Sequence, residues 1–355
     1  MHRRQVIRLL GLSLLSRARW GETHPLGGLA SALEIGSAPI VKASRLMMGN
    51  VNVTITAVAE DRPAAQRAVS AAFSEMQRLE ALLSFYRSES DVSRLNQAAG
   101  HHPVRVSPDV FNIINRALEV THLTDGAFNI ALGSISKRWD FLGQPSIPTA
   151  MERDRLRALS HPEDIVLDPH RQEIFLRKPG MQLDLGGIGK GFMAQRARDT
   201  LRQGGIQAGI VANAGDLVLF GTRPDGQPWR IGVQHPRHKG KMLAALELTD
   251  CAVSTSGDYE RFFTHEGVMY HHILDTRTLL PARDCQSVTV IGRDATLVDA
   301  LATGIFVLGP SSGLQLLERS RLGEGMIIDR MGRTSISPSL EAKVVLYEPM
   351  QHAQP

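Results

Sequence analysis

An aspartate and a threonine four residues apart on a helix present two oxygens on one face. Asp299 and Thr303 have that spacing within Asp294-Ala295-Thr296-Leu297-Val298-Asp299-Ala300-Leu301-Ala302-Thr303. A carboxylate with a hydroxyl is a hard oxygen pair suited to Mg²⁺, which keeps its other positions for water and phosphate oxygens. The plainer reading is a surface charge and an ordinary mid-helix threonine. A second segment, Asp184-Leu185-Gly186-Gly187-Ile188-Gly189-Lys190-Gly191, runs through glycines toward a helical pattern. Glycines let the main chain approach a phosphate, a helix N-terminus offers free N–H groups, and Lys190 adds a point charge. The spacing matches neither GxxxxGK[ST] nor GxGxxG, so a glycine-rich turn with a solvated lysine stands beside the anion-site reading.

Two further segments carry polar groups in suggestive order. In Tyr270-His271-His272-Ile273-Leu274-Asp275-Thr276-Arg277-Thr278, two adjacent histidines on a strand point to opposite faces. One of them can serve a site as base or ligand, but not both. A hydrogen-bonded structural histidine is the alternative. Ser254-Thr255-Ser256-Gly257-Asp258-Tyr259 suits a tight turn, with or without phosphate or ribose contacts. No GxSxG is present to make Ser256 a hydrolase nucleophile.

The elements that must position these groups follow from periodicity and caps. Val51 to Val58 alternates as a strand. Ala65, Val69, Ala72, Met76, Leu79 and Leu83 recur at helical spacing over 63–83. Ser107-Pro108 opens a second helix, and Gly204-Gly205 closes a third that starts at Ile188. Short strands are expected at 208–212, 216–220, 229–233, 244–248, 252–255, 271–274 and 287–291. Helices at 295–308 and 311–319 then precede a last strand at 326–328. Helices and strands mix without regular βαβ alternation, which predicts an α+β fold with a sheet packed by helices.

The net charge of +4 hints at nucleic acid, but residues 1–32 hold five arginines and one acid. Without them the basic and acidic counts are equal, and a phosphate-backbone binder should keep a surplus. Arg3-Arg4, a short apolar stretch and Ala30-Ser31-Ala32 have the layout of a Tat-type export signal, a disordered basic tail being the alternative. Residues 1–44 are accordingly read as export signal and linker, 45–349 as the catalytic unit, possible in two lobes, and 350–355 as a tail. Cys251 and Cys285 are the only cysteines. One disulfide or two buried thiols are both open.

In this order the segments resemble the FAD:protein FMN transferases of the ApbE family. Met48-Gly49 is similar to its Met-Gly-Thr opening. Ser84-Phe85-Tyr86 and Ser93-Arg94-Leu95-Asn96 are similar to S-x-Y and S-x-L-N, and Asp125-Gly126-Ala127-Phe128-Asn129 to D-G-A-F-D. Asp184 to Gly191 resembles D-L-G-G-I-A-K-G. Ser256-Gly257-Asp258-Tyr259 resembles S-G-D-Y, His272 to Thr278 resembles H-I-I-D-P-R-T, and Asp299 to Thr303 resembles D-A-L-A-T.

The resemblance implies that Met48, Tyr86, Ala127, Phe128, Asn129, Asp184, Lys190, Ser256 and His272 line an FAD site. It implies a Mg²⁺ held by the Gly187 carbonyl and the side chains of Asp299 and Thr303. The implied reaction moves FMN from FAD to a Thr or Ser hydroxyl of a target flavoprotein, a subunit of a membrane redox complex, and releases AMP outside the cytoplasm, in the periplasm. His272 is the first candidate for the base, with Asp275 or Asp258 as substitutes. An FAD pyrophosphatase and a non-catalytic FAD carrier are the rival expectations. Asn129, Gln195, Ala214, Thr276 and Leu279 depart from the family's usual Asp, Asp, Gly, Pro and Gly. The loop after Asp275 and the flavin-side geometry at Asn129 are where the structure should differ.

Overall fold

The computed structural model describes residues 40–141 and 144–347. The export signal and the short tail expected from the sequence lie outside the described residues. The chain opens with a hairpin, β1 (Ile40–Met47) and β2 (Val51–Val58), followed by α1 (Arg62–Leu83) and α2 (Asp91–Gln97). Next come β3 (Val104–Arg105), α3 (Pro108–Leu123), α4 (Gly133–Trp139), α5 (Ala150–Arg157), β4 (Ile165–Asp168) and β5 (Glu173–Leu176). Then follow α6 (Gly189–Gln203), β6 (Ala208–Asn213), β7 (Asp216–Phe220), β8 (Trp229–Gln234), β9 (Met242–Leu248) and β10 (Cys251–Gly257). A second hairpin, β11 (Phe262–His265) and β12 (Val268–His271), precedes β13 (Cys285–Gly292), α7 (Ala295–Leu308) and α8 (Pro310–Ser320). The last elements are β14 (Glu324–Asp329), β15 (Thr334–Ile336), α9 (Pro338–Glu341) and β16 (Val344–Leu346).

Among the described residues the central sheet runs β1-β2-β6-β7-β10-β13-β14-β15, every neighbouring pair antiparallel. Alternation along its strands sends side chains to two cores. Val218, Ala252, Val288, Val290 and Ile327 join the larger core with helices α1, α6 and α7. Leu219, Val253, Ile291, Met326 and Ile328 face the other way, onto a three-stranded sheet β16-β9-β8. The architecture is the expected α+β, with a second sheet covering the face the helices leave free.

Local signals explain where the helices start. Asp61 accepts from the Ala64 N–H at 2.9 Å to cap α1, Ser107 caps α3, and Asp294 caps α7 through the Leu297 N–H at 3.1 Å. Helix α7 is apolar almost all round, with Val298, Ala300, Leu301, Ala302, Ile305 and Phe306 buried. It therefore lies between the sheet and the outer helices α3 and α8.

Three expectations change. The sheet begins at Ile40 rather than after residue 45, because β1 pairs with β2 along its whole length. The strand expected at 271–274 ends at His271, and its partner β11 is a hairpin arm that the charged Glu260-Arg261 pair and the Glu266-Gly267 turn break out of any long periodic run. The strand near 326–328 is not the last, since β15 and β16 follow. The cysteine question is also settled. Cys251 and Cys285 are free. The β10–β13 register pairs Ala252 with Gly292 and Gly257 with Ser287, so the two cysteines sit at opposite ends of the strand pair. Continuing that register, Cys251 faces Arg293, eight residues along the strand from Cys285, which at about 3.4 Å per residue puts the two well over 20 Å apart, far beyond disulfide reach.

Candidate active site

The chemistry-bearing residues converge where α6 begins. Gly191 lets that helix start directly against α7: a Cβ there would lie 2.1 Å from the Ala295 carbonyl oxygen and 2.8 Å from the Asp299 Cβ. The close approach brings Lys190 beside two carboxylates. Its Nζ lies 2.6 Å from Asp216 Oδ2, at the start of β7, and 3.1 Å from Asp299 Oδ1. The Gly191 N–H donates to Asp299 Oδ2 at 2.9 Å, and the Ser254 hydroxyl donates to Asp216 Oδ1. Asn213, wholly buried, donates from Nδ2 to the Lys190 carbonyl at 3.0 Å.

Burial, then the Asp216 charge, raises the Asp299 carboxyl; Lys190 and the Gly191 N–H pull it back, leaving it pushed up to about 6. Burial works against the Lys190 ammonium, but the two carboxylates outweigh it and hold its pKa above the usual range. Lys190 is thus committed to carboxylates rather than free for phosphate.

One turn along α7, Thr303 Oγ1 lies 3.3 Å from Ser256 Oγ on β10. Gly187 faces the same threonine. A Cβ at Gly187 would come within 3.3 Å of Thr303 Oγ1 and 3.2 Å of the Phe128 ring. The three residues expected to hold Mg²⁺ are therefore together, in a cradle that a larger residue at 187 would fill. All their donors are oxygens, which fits a hard cation. Among the described residues there is no group of three His, Cys, Asp or Glu side chains able to hold a metal, so a cation here would draw its remaining ligands from water or from a bound phosphate.

The flavin-side residues are spread more widely. Met48 sits in the β1–β2 turn at φ +48°, its N–H donating to Glu80 Oε1 at 3.0 Å, and lines a cleft of about 470 Å³ with Glu80 and Arg87. Tyr86 is 77% exposed, edge-on to Phe85, and within electrostatic reach of Asp184 and Arg261. Asp184 accepts from the Gly186 N–H at 2.9 Å, and burial raises its carboxyl. Ala127 and Phe128 are buried, the Phe128 ring forming the floor under Gly187. Asn129 turns inward. Its Nδ2 donates to the Ser160 carbonyl and its Oδ1 accepts from the Ala131 N–H, both at 2.8 Å. A carboxylate could not make the first of these bonds, so the asparagine found here holds the loop as an aspartate could not.

The candidates for base separate. Asp258 is held by Arg237 through two bonds of 2.7 and 2.6 Å. Asp275 accepts from Arg277 at 3.1 and 2.9 Å; although burial works to raise its carboxyl, these bonds win and lower it. Neither is a free proton acceptor. His272 follows β12, with its Nδ1 3.3 Å from the Arg261 carbonyl oxygen. A carbonyl only accepts, so Nδ1 carries the proton and Nε2 keeps its lone pair. Desolvation, then the Arg261 charge, pushes the ring down to about 3. His271 faces away, its Nε2 2.7 Å from the Ala282 carbonyl oxygen and its ring edge-on to Phe306.

Two residues escaped the sequence reading. Arg261 lies among Tyr86, Asp184, Glu260 and His272. Glu260 faces Lys190 and Asp216, and desolvation raises its carboxyl. Both stand directly after Asp258-Tyr259, so their place next to a recognised segment was the available signal.

One of the loop departures has a structural reason, and Thr276 has none in the structure. Leu279, where glycine is usual, keeps the left-handed turn at φ +57°. It buries its side chain against Ile135, Trp139 and Leu274, and its carbonyl accepts from Trp139 Nε1 at 3.2 Å. The left-handed conformation costs about 1–2 kcal/mol, and burying a leucine side chain contributes about 1.5–3 kcal/mol.

Comparison with known proteins identifies the family and the fold. The ApbE family's sequence model matches residues 48–327. An FAD:protein FMN transferase of Klebsiella pneumoniae (strain 342) is 38% identical over 254 residues, covering 70% of this chain and 78% of that relative. One of Treponema pallidum is 34% identical over 276 residues, covering 72% and 76%. Among solved structures, the ApbE protein of Thermotoga maritima superposes with a TM-score of 0.81 at 29% identity, covering 86% of this chain and 99% of that one. The apo flavinyl transferase ApbE of Pseudomonas stutzeri gives 0.78 at 28% identity, covering 88% and 98%.

Proposed function

The chain belongs to the ApbE family, and from that membership we propose that it transfers FMN from FAD to a threonine or serine hydroxyl of a target flavoprotein, releasing AMP. The observation that carries the proposal is the oxygen-only corner formed by buried Asp299, Thr303 and Gly187 beside the start of α6. Asp299, Thr303 and the Gly187 carbonyl would hold Mg²⁺, which when bound offsets charge on the diphosphate and on the departing AMP.

The chain's own groups do the rest. In the transfer, the acceptor oxygen forms a bond to the FMN phosphorus, the bond from that phosphorus to the AMP oxygen breaks, and AMP leaves with the electron pair. The acceptor's proton goes to Nε2 of His272. That ring is neutral across the physiological range. Its proton affinity rises when an anionic diphosphate is beside it, because a negative neighbour favours the imidazolium. Among the described residues Arg261 has no carboxylate within ion-pair distance, which leaves it to meet the anionic substrate. Lys190 holds Asp216 and Asp299 together in a unit that keeps one net negative charge when both carboxyls are ionised, which suits a cation beside it.

The Tat-type layout around Arg3-Arg4 supports action in the periplasm, and the family resemblance supports a subunit of a membrane redox complex as the target. The test is AMP release from FAD and Mg²⁺ with and without an acceptor protein. Release only with acceptor supports transfer, release to water makes the chain a pyrophosphatase, and no release leaves an FAD carrier. Asp299→Asn, which keeps an acceptor for the Gly191 N–H, should abolish release. Wild-type turnover by that variant would reject the metal corner.

A further inference from the structure

The β11–β12 hairpin leaves one strand edge open beside the site. The His272 N–H donates to the Arg261 carbonyl at 3.1 Å, so that pair is of the hydrogen-bonded kind. In an antiparallel ribbon such pairs alternate. From the register Phe262↔His271, Phe263↔Tyr270, Thr264↔Met269 and His265↔Val268, the pairs at Phe263 and His265 bond inward. The N–H and C=O groups of Phe262 and Thr264 therefore point outward from β11, and those of His271 and Met269 outward from β12.

The two edges differ. On β12 the Met269 carbonyl already accepts from Arg283 Nη1 at 2.8 Å, and the chain continuing from it is paired at Ile273, whose carbonyl accepts from the Ala282 N–H. On β11 no described group bonds to Phe262 or Thr264, and the two strands form a sheet of their own. Side chains sort the same way. Phe263 and Tyr270 stack at 5.4 Å and pack with Trp139 and Phe141, whereas Phe262 is 50% exposed and Thr264 is exposed. Trp139, Phe263 and Tyr270 thus brace the ribbon from one side and leave its β11 edge clear.

We propose that the β11 edge receives the acceptor protein as an added strand: an extended segment bearing the target threonine or serine pairs with Phe262 and Thr264. The assignment rests on the transfer reaction inferred above. It follows from continuity, because β11 begins immediately after Arg261, whose carbonyl touches the His272 ring and main chain. A strand laid on this edge runs directly into the site. An extended segment also projects a single hydroxyl from a thin backbone, while main-chain pairing tolerates varied side chains.

The experiment uses the outward N–H groups. Thr264→Pro removes one without breaking a bond inside the hairpin, and proline is tolerated on an edge strand in that position. Phe262→Pro removes the other, and Thr264→Val keeps the N–H while changing the side chain. Each full-length variant is given FAD, Mg²⁺ and membrane protein from source cells lacking the native gene. Covalent flavin is then read by fluorescence on a denaturing gel, with FAD binding read separately.

Either proline variant that still binds FAD should label acceptor roughly tenfold or more slowly, as expected for a lost main-chain pair, and Thr264→Val should match the parent. Parent-like labelling by a proline variant overturns the proposal. So does equal loss in Thr264→Val, or a change from dimer to monomer with labelling intact, which would give the edge to a second copy. Should the proline variants fail to bind FAD, hydrogen exchange of the parent decides: protection at Phe262 and Thr264 without acceptor overturns it, and protection gained only with acceptor supports it. If the parent labels nothing, the transfer reading itself falls.

Discussion

Replacing Lys190 by methionine isolates the charge balance at the head of α6. The side chains of Asp216 and Asp299 are 3% and 2% exposed, and the ammonium at 2.6 and 3.1 Å is their shared counter-ion. Removing one partner of a buried ion pair costs about 3–5 kcal/mol. With an unfolding entropy of about 2.1 cal/mol/K per residue, over roughly 300 residues, that is a fall in Tm of roughly 5–8 °C. The effect should depend on pH. With Lys190 present the Asp299 carboxyl is already pushed up to about 6, by burial first and Asp216 second; without the lysine it rises further. A carboxylate whose folded pKa lies above its unfolded value loses stability as pH climbs through that interval. The deficit against the parent should therefore be small near pH 5 and large near pH 8. Thermal unfolding followed by circular dichroism in EDTA at both pH values measures it, and added Mg²⁺ should recover part of the loss at pH 8. A deficit equal at both pH values, or none at either, would refute the argument that Lys190 is there for the two carboxylates.

Asn129→Asp, which restores the residue usual in the family, should destabilise by about 1–3 kcal/mol because it leaves the Ser160 carbonyl without its donor; an unchanged urea midpoint would show the bond contributes nothing. Gly191→Ala should cost about 1–3 kcal/mol or more by forcing α6 from α7, whereas Gly189→Ala, with nothing within 4 Å of the added Cβ, should be mild; equal melting temperatures would contradict the close-packing account. In the pH profile of kcat/KM, His272 should give no acid limb at 6–7, since its free-enzyme titration falls near 3. An acid limb near 6–7 that moves in Glu260→Gln would take the proton transfer from His272 and assign it to Glu260, and one that moves only in His272→Ala would refute the desolvation of the histidine ring.

What the sequence disclosed was what periodicity, caps and short-range spacing encode. The cap Ser107, the glycine stop at 204–205, and the i, i+4 pairing of Asp299 with Thr303 are all local, and each stands where its residue type required. The hairpin at 262–271 was missed because its arms are four residues each and read Phe-Phe-Thr-His and Val-Met-Tyr-His, with no apolar–polar alternation to mark a strand. The second sheet layer was not foreseen because strands facing two cores, such as Val218-Leu219-Phe220, read as a plain apolar run. Long-range pairings were illegible for a different reason. That Lys190 belongs to Asp216 and Asp299 depends on sequence separations of 26 and 109 residues, and that Asn129 turns inward to Ser160 depends on a loop path no local rule specifies. The site's residue types were therefore visible in the sequence, while its charge partners were not.

The placement of the two cysteines bears on where this chain can be made. With Cys251 and Cys285 at opposite ends of one strand pair, no covalent cross-link belongs to the native state, and nothing in its stability depends on an oxidant. Burial raises both thiols, to about 11 and about 12, which keeps them in the unreactive protonated form. The same native state is therefore reached with glutathione present or absent. A chain of this kind can complete its folding among reductants and be moved afterwards into an oxidising space without rearrangement, and oxidoreductase helpers have no substrate in it on either side.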